Sequence, residues 1–494
     1  MTAFALRRRA NIALAGTVGA AEVPNPLNSI LDLFVSARAA VGSTEWTWVQ
    51  ASTNTFESVL PPVGLRDDFA SGTGILEMIP AWMGWVWNND RLCFEYDGTG
   101  HSAAGCTERF SWSAVTRQHS LAFYGSEQIA CPDPYYRAHD FNGTPPSRHP
   151  YGLQCYGKVR QRIYLACAGT FNSGNRGRVW DPAVTGDQPN GPDGNPGLRF
   201  TGIFEIDMSQ AGTGKVLGAT GSNPARGANA GTVLTGANAA VHHDWYAPGG
   251  PTPTFLSQVQ APAIEGAMVY TGEVAGKDAF YWTSGQKWLI RTTINSNNPA
   301  DDTHVLIARE SSAYGQGRGS VQISFDPTRR VVLAITDDVD TNPGCVAFAD
   351  PKRPEGGSEQ WRAATLSGNA GDITEFLALN RLDMGVQWDP ISGKHLAWNG
   401  LGRQVWAITT PATDSGTGFT PDTGWLLEKL PMNATQPAPP TTPDPRQASG
   451  GVQIIGVNGK WAHADELRAM GTIVGTNAGN VWFLLGPGWT DPRA

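Results

Sequence analysis

Apolar and polar positions alternate with a period of two in short bursts along most of this chain. The clearest burst runs from Met384 to Ile408. Val386 and Trp388 alternate with polar neighbours, Asp389-Pro390 opens a turn that Gly393 closes, and His395 to Trp398 returns as a second strand. Gln404 to Ile408 supplies a third strand, and Trp425 to Leu430 a fourth beyond a Gly/Thr/Pro-rich loop. Five further sets repeat the pattern. Their first hairpins are Trp82 to Tyr96, Tyr151 to Leu165, Ala267 to Trp282, Val321 to Ile335 and Gly456 to Gly475. Successive turns lie about 50 to 75 residues apart, the scale of a blade repeat. The pattern predicts an all-β chain: a six-bladed β-propeller of four-stranded antiparallel blades.

Two intervals depart from the repeat. Between the second and third hairpins the spacing nearly doubles, and the excess, residues 221–261, is rich in Gly, Ala, Asn and Pro. It has room for a seventh blade, but its poor alternation reads as a long inserted loop, as does Gly169 to Leu198. Pro437 to Pro445 reads as a stiff connector. At the other end, residues 1–43 form an arm outside the propeller of residues 44–494, and Leu27, Ile30, Leu31 and Phe34 fall at helical spacing. So short a helix is not stable alone and must lie on its own propeller or on another chain. The sixth blade lacks an outermost strand, while residues 45–51, with Trp46 and Trp48, have the form of one. Closing a ring removes two open sheet edges, so these residues are expected to pair with the C-terminal blade.

Composition narrows the function classes. With 59 Gly, 35 Pro and 18 Trp in 494 residues, the chain suits many tight turns and large aromatic wedges between sheets. A net charge of −8 and the lack of any Lys/Arg stripe disfavour nucleic acid as a partner. No apolar run is long enough to predict a transmembrane helix. Arg7-Arg8-Arg9 and the small residues to Ala21 imitate a signal peptide, but Asn11, Thr17 and the glycines weaken it, so a cleaved leader is not expected. Of six cysteines, Cys155 and Cys167 flank one hairpin turn; a cross-strand disulfide and two reduced, packed thiols are both compatible with that spacing.

Pro146-Ser147-Arg148-His149-Pro150-Tyr151-Gly152 followed by Tyr156 resembles the opening strand of a blade in the kelch-type, galactose-oxidase-like propellers. That resemblance implies the propeller architecture. It also implies a copper test, since such oxidases place a Tyr directly before a ligand His; none of the nine histidines here follows a tyrosine.

Other chemistry is sparse. His242-His243-Asp244-Trp245-Tyr246 is the densest polar and aromatic cluster and the candidate ligand-binding patch, although adjacent histidines of an extended segment point to opposite sides. Asp337, Asp338 and Asp340 form the candidate metal site, with Ca²⁺ the ion such oxygen ligands would take; no other cofactor is expected. Glu205, Asp207, Glu265, Glu273 and Asp278 offer carboxylates without a spacing that selects a glycosidase pair. The fingerprints of serine hydrolases, zincins, P-loops and dinucleotide folds are missing. The expectation is therefore a non-enzymatic structural or ligand-binding module of a larger assembly, virion-borne or extracellular. In its most specific form it is a bacteriophage virion or tail-appendage protein, joined to other subunits through the arm and contacting a surface glycan. The alternative is an exported galactose-oxidase-like or carbohydrate-active propeller.

Overall fold

The structure is a computed structural model that describes residues 25–60, 83–97, 108–123, 152–166, 202–210, 266–283, 288–309, 321–338, 342–353, 360–379, 384–400, 402–440, 457–475 and 478–494, with short pieces at 79, 128–129, 138–139, 178–179, 198–199 and 240–243. Six sheets arise from the six predicted hairpins. Blade one holds Gly84–Asn88, Cys93–Asp97, Arg109–Ser113 and Gln118–Phe123, in order from the axis outwards. Blade two holds Gln154–Gly157, Arg162–Ala166, Ile203–Ile206 and Ala240–His243, and blade three Met268–Val274, Lys277–Thr283, Leu289–Thr293 and Thr303–Ala308. Blade four is Val321–Asp326, Val331–Asp338, Asn342–Ala349 and Arg362–Ala363, and blade five Gly385–Asp389, Lys394–Trp398, Trp406–Thr409 and Thr423–Lys429. Blade six is Trp461–Ala464, Ala469–Val474 and Asn480–Leu485, completed by Thr47–Gln50. Each innermost strand neighbours the innermost strand of the next blade, and blade six returns to blade one.

The closure is the one the sequence predicts. Thr47 pairs with Leu485, Val49 with Phe483 and Gln50 with Trp482 in antiparallel register. Trp46 also bridges to blade five, donating its N–H to Pro431 O at 2.9 Å and accepting from Asn433 N at 2.7 Å. Behind the seam lies helix α1, Asn28–Ala39, with Ile30, Leu31 and Phe34 fully buried. Its apolar face therefore rests on its own blades: the Phe34 ring is 5.1 Å from Phe483 and 5.9 Å from Trp489. Arg493 ties the C-terminal end to the same helix through Asp32 at 2.7 Å.

Apolar clusters fill all six blade interfaces, as alternation on both faces of each sheet requires. The inner hairpins reuse one turn. Asn88, Asp326 and Asp389 end the first strands of blades one, four and five, and each accepts the N–H groups two and three residues on, at 2.8 to 3.2 Å. The fifth residue is left-handed in each case: Leu92 at φ 53°, Arg330 at 58° and Gly393 at 67°. Blade two has Gly157 where those blades have Asn or Asp. Its two N–H groups, Val159 and Arg160, are accepted instead by Asp278 of blade three, at 2.9 and 3.0 Å. A Cβ on Gly157 would lie 2.4 Å from that carboxylate, so the residue must be glycine for the neighbour to reach in.

Two expectations need correction. The interval 221–261 is not loop throughout: Ala240–His243 within it pairs with Ile203–Ile206 as the outer strand of blade two. His243 in it contacts Glu205 and Asp302, a polar attachment that leaves no period in the sequence. The run Trp361 to Leu366, which has the same outer-strand form in sequence as residues 45–51, is not one outer strand. Arg362–Ala363 pairs with Phe348 and Ala347 of blade four, whereas Thr365–Gly368 crosses to pair in parallel with Thr423–Lys429, giving blade five a fifth strand. Gly368, at φ 123°, then turns into helix α2, Ala370–Ala378, whose N-cap Asn369 accepts from Gly371 N at 2.8 Å and Asp372 N at 3.1 Å.

Candidate functional site

Among the described residues each innermost strand is laddered on one side only, apart from the bond from Met268 N to Gly152 O at 2.7 Å that links blades three and two, so six strand edges face the propeller axis. They enclose an open channel of about 670 Å³, the size of small-ligand sites in general. Every blade contributes to its wall. Its lining includes Trp85, Tyr156, Phe325, Trp388 and Trp461, whose rings are buried, the half-buried Tyr270, and Gln154, Gln322 and Gln387 from three different blades. Several polar atoms of these lining residues are unpaired. Trp85 Nε1, Gln154 Nε2, Gln322 Nε2 and His463 Nε2 have no hydrogen-bond partner among the described residues, although each lies within the wall.

The end of the channel at the inner hairpins carries the charge. Asp465 Oδ1 lies 2.9 Å from His463 Nδ1, and its Oδ2 accepts from Asn89 Nδ2 at 3.1 Å and from Lys158. Burial works against this carboxylate, yet the His463 hydrogen bond and the Lys158 charge outweigh burial and hold Asp465 well below the usual carboxylate range. Glu466 accepts from Trp87 Nε1 at 2.7 Å and from Asn89 at 3.0 Å. His463 Nε2 faces Asp389 Oδ1 across 3.8 Å, too far for a hydrogen bond.

The residues singled out by sequence are distributed otherwise. His243 is fully buried at the contact of blades two and three, donating from Nδ1 to Asp302 Oδ2 at 2.8 Å and from Nε2 to Glu205 Oε2 at 3.0 Å. Burial alone would lower its pKa; the two carboxylates reverse this and raise it to about 9, so the ring is an imidazolium at neutral pH. Glu205 also accepts from Arg160 Nε at 2.9 Å, while Arg162 reaches Asp207 at 3.0 Å. Tyr164 and Tyr270 donate to Asp278 at 2.9 and 3.0 Å. Glu205, Asp207 and Asp278 are thus held in an interblade network. His242, next to His243 in Ala240–His243, pairs with Phe204 of the adjoining strand, and Asp244, Trp245 and Tyr246 lie outside the described residues, as does Glu265.

Asp337 and Asp338 end the second strand of blade four, and Asp340 lies outside the described residues, so the candidate Ca²⁺ site is placed at a strand end and no further. Among the described residues no group of three or more His, Cys, Asp or Glu side chains is disposed to hold a metal ion. The blade-opening motif from Pro146 to Tyr151 is outside the described residues, while Tyr156 lines the channel. Cys155 is a buried free thiol, and Cys93, likewise free, is pushed up to about 12 mainly by burial.

Comparison with known proteins adds no argument to the geometry. No family model matches the chain, and neither does any curated protein. The leech intramolecular trans-sialidase complexed with 2,7-anhydro-Neu5Ac is similar at 11% identity, with 83% of this chain and 67% of that one covered and a TM-score of 0.32. The intramolecular trans-sialidase of Ruminococcus gnavus, in complex with oseltamivir carboxylate, is 12% identical over 74% of this chain and 86% of its own, with a TM-score of 0.28. AofleA from Arthrobotrys oligospora is 9% identical over 77% and 96%, with a TM-score of 0.22. Likeness at this level carries nothing about activity or ligand. The kelch-type resemblance accordingly goes no further than the propeller. Among the described residues no helix is long and apolar enough to cross a membrane.

Proposed function

We propose that this protein is a non-enzymatic, ligand-binding β-propeller whose axial channel receives a polyhydroxylated ligand of the saccharide class. The observation that carries the reading is the wall of the channel, about 670 Å³ lined by all six blades, with aromatic residues, three glutamines and strand edges among its components. A pyranose presents apolar C–H faces and a rim of hydroxyls that both donate and accept; aromatic faces suit the first, and amides with backbone edges suit the second. Catalysis by a carboxylate pair is not favoured, because Glu205, Asp207 and Asp278 are occupied in the interblade network.

The setting we propose is a larger assembly, specifically a bacteriophage virion or tail appendage, which implies a virion-borne or extracellular location. Support for it is the non-propeller arm. Since the apolar face of α1 is taken by its own blades, contact with a neighbouring subunit falls to residues 1–24 or to the outer face of α1, where Val35 is 40% exposed.

A glycan array probed with the labelled full chain tests the binding reading. Binding to at least one neutral glycan is expected, weakened tenfold or more by Gln387→Ala and by Trp388→Ala. Absence of binding, or binding that both substitutions leave intact, overturns it. For the setting, light scattering of the full chain and of a variant lacking residues 1–24 is expected to show an oligomer lost on truncation; a monomer in both cases overturns it.

A further inference from the structure

Given a saccharide in the channel, the charge at its hairpin end narrows the ligand class further. Lys158 is the cation among the described lining residues at this end, and it is already paired with Asp465. Asp465 is the carboxylate in the lining itself, and three more adjoin lining residues from outside the wall: Glu466 on Trp87 and Asn89, Asp389 at 3.8 Å from His463, and Asp90, which accepts from Tyr156 and from Gln161 at 2.8 Å. The neighbouring arginines are committed elsewhere, Arg91 to Glu95 at 2.7 Å and Arg329 to Asp326 at 3.3 Å. An incoming carboxylate would meet Asp465 in the wall and the field of the three acids behind it, with no guanidinium among the described lining residues to receive it, and would have to compete with Asp465 for the Lys158 ammonium. A neutral hydroxymethyl group meets no such penalty and finds acceptors in plenty.

We infer that the channel discriminates by charge: it takes uncharged saccharides and rejects their carboxylated counterparts. The inference rests on the saccharide reading. Specificity of this kind arises from repulsion built against the wrong ligand as much as from contacts to the right one. The element responsible is the Lys158 and Asp465 pair, because replacing Asp465 both removes an acid and frees the cation.

Matched probes separate this inference from the reading beneath it. Calorimetric titration of the full chain with galactose and galacturonate, and with glucose and glucuronate, compares a hydroxymethyl with a carboxylate on the same ring. At least one neutral sugar is expected to bind, with its uronate about tenfold weaker or worse, the scale of one repulsive contact between like unit charges at partly exposed sites. The gap should narrow about tenfold in Asp465→Asn, with thermal unfolding confirming that the variant is folded, and it should shrink at high salt. Uronates that bind as well as the neutral sugars, or a gap that Asp465→Asn leaves unchanged in a folded protein, would overturn the charge inference while leaving the saccharide reading in place. No binding of either member of either pair, by a protein that also binds nothing on the array, overturns both.

Discussion

The seam between blades six and one and the contact between blades two and three do the same mechanical job with opposite chemistry. At the seam, Phe34, Phe94, Trp112 and Phe483 are fully buried and meet ring to ring, with Phe94 to Phe483 at 5.9 Å and Trp112 to Phe483 at 5.6 Å. Between blades two and three an apolar cluster is present too, but beside it His243, Glu205, Asp302 and Asp278 are buried with their charges or dipoles matched one to another. An aromatic seam gains from every square ångström it removes from water, with no charge to be matched. A buried ion network contributes little net stability while complete, and costs much when one member is missing. The two contacts should therefore fail in different ways.

The largest effect is expected at the seam. Deleting residues 1–50 removes α1 and the strand that pairs with Asn480–Leu485, leaving that strand as an open apolar edge, and the product is expected to aggregate or to lose its cooperative unfolding transition in calorimetry. Next come single side chains. Phe483→Ala is expected to cost about 3 to 5 kcal/mol in denaturant unfolding, the range for a large ring removed from a tight core. His243→Ala leaves Glu205 and Asp302 buried against each other and should cost a similar 3 to 5 kcal/mol, roughly that of breaking a buried pair. The sharper distinction between them is pH. His243 has a folded-state pKa raised to about 9 against about 6.5 unfolded, so its contribution is whole below pH 6.5 and is lost as pH rises through 9, on the order of 3 kcal/mol at most. His119 and His304, both lowered to about 4, and His395, lowered to about 3, are shifted chiefly by burial and behave oppositely. Their contribution holds above pH 6.5 and is lost as pH falls towards those values. Unfolding followed from pH 4 to 10 should give a maximum near neutrality, and in His243→Ala the alkaline decline should flatten while the acid limb stays. In Phe483→Ala both limbs should persist at lower stability. The smallest effect is expected at Gly157→Ala, which pushes Asp278 off the blade-two turn and should cost about 1 to 3 kcal/mol by chemical denaturation.

The same contrast explains what could be read in advance. The closure was legible because its parts are apolar residues at regular spacing: Trp46 and Trp48, which pack between blades five and six, alternate, and Ile30, Leu31 and Phe34, at the contact of blades six and one, keep the helical period. The second contact was not, because its partners Arg160, Glu205, His243, Asp278 and Asp302 come from separate segments, and charge carries no period. His243 was singled out for the company of His242, Asp244, Trp245 and Tyr246, when what defines it is two carboxylates 38 and 59 residues away along the chain. The substitution of Gly157 for an Asn or Asp in the repeated turn was a visible signal, and Asp278 is its complement. The channel was likewise hidden. Tyr156, Gln322, Gln387 and Trp388 read as ordinary strand positions, and only closure of the ring turns six strand edges towards one axis. Helix α2 escaped because Asn369 and Ala370 to Ala378 form an isolated helical segment among strands, with Phe376 its one fully buried ring.

The claim on which the functional account turns is that a saccharide sits on the propeller axis. A crystal structure of the full chain soaked with the strongest-binding neutral sugar tests it most directly. The account predicts electron density within the channel, against Trp388 and Tyr270 and within hydrogen-bond reach of Gln387. A sugar bound on the outer edge of a blade, with the axis holding only water, would contradict it.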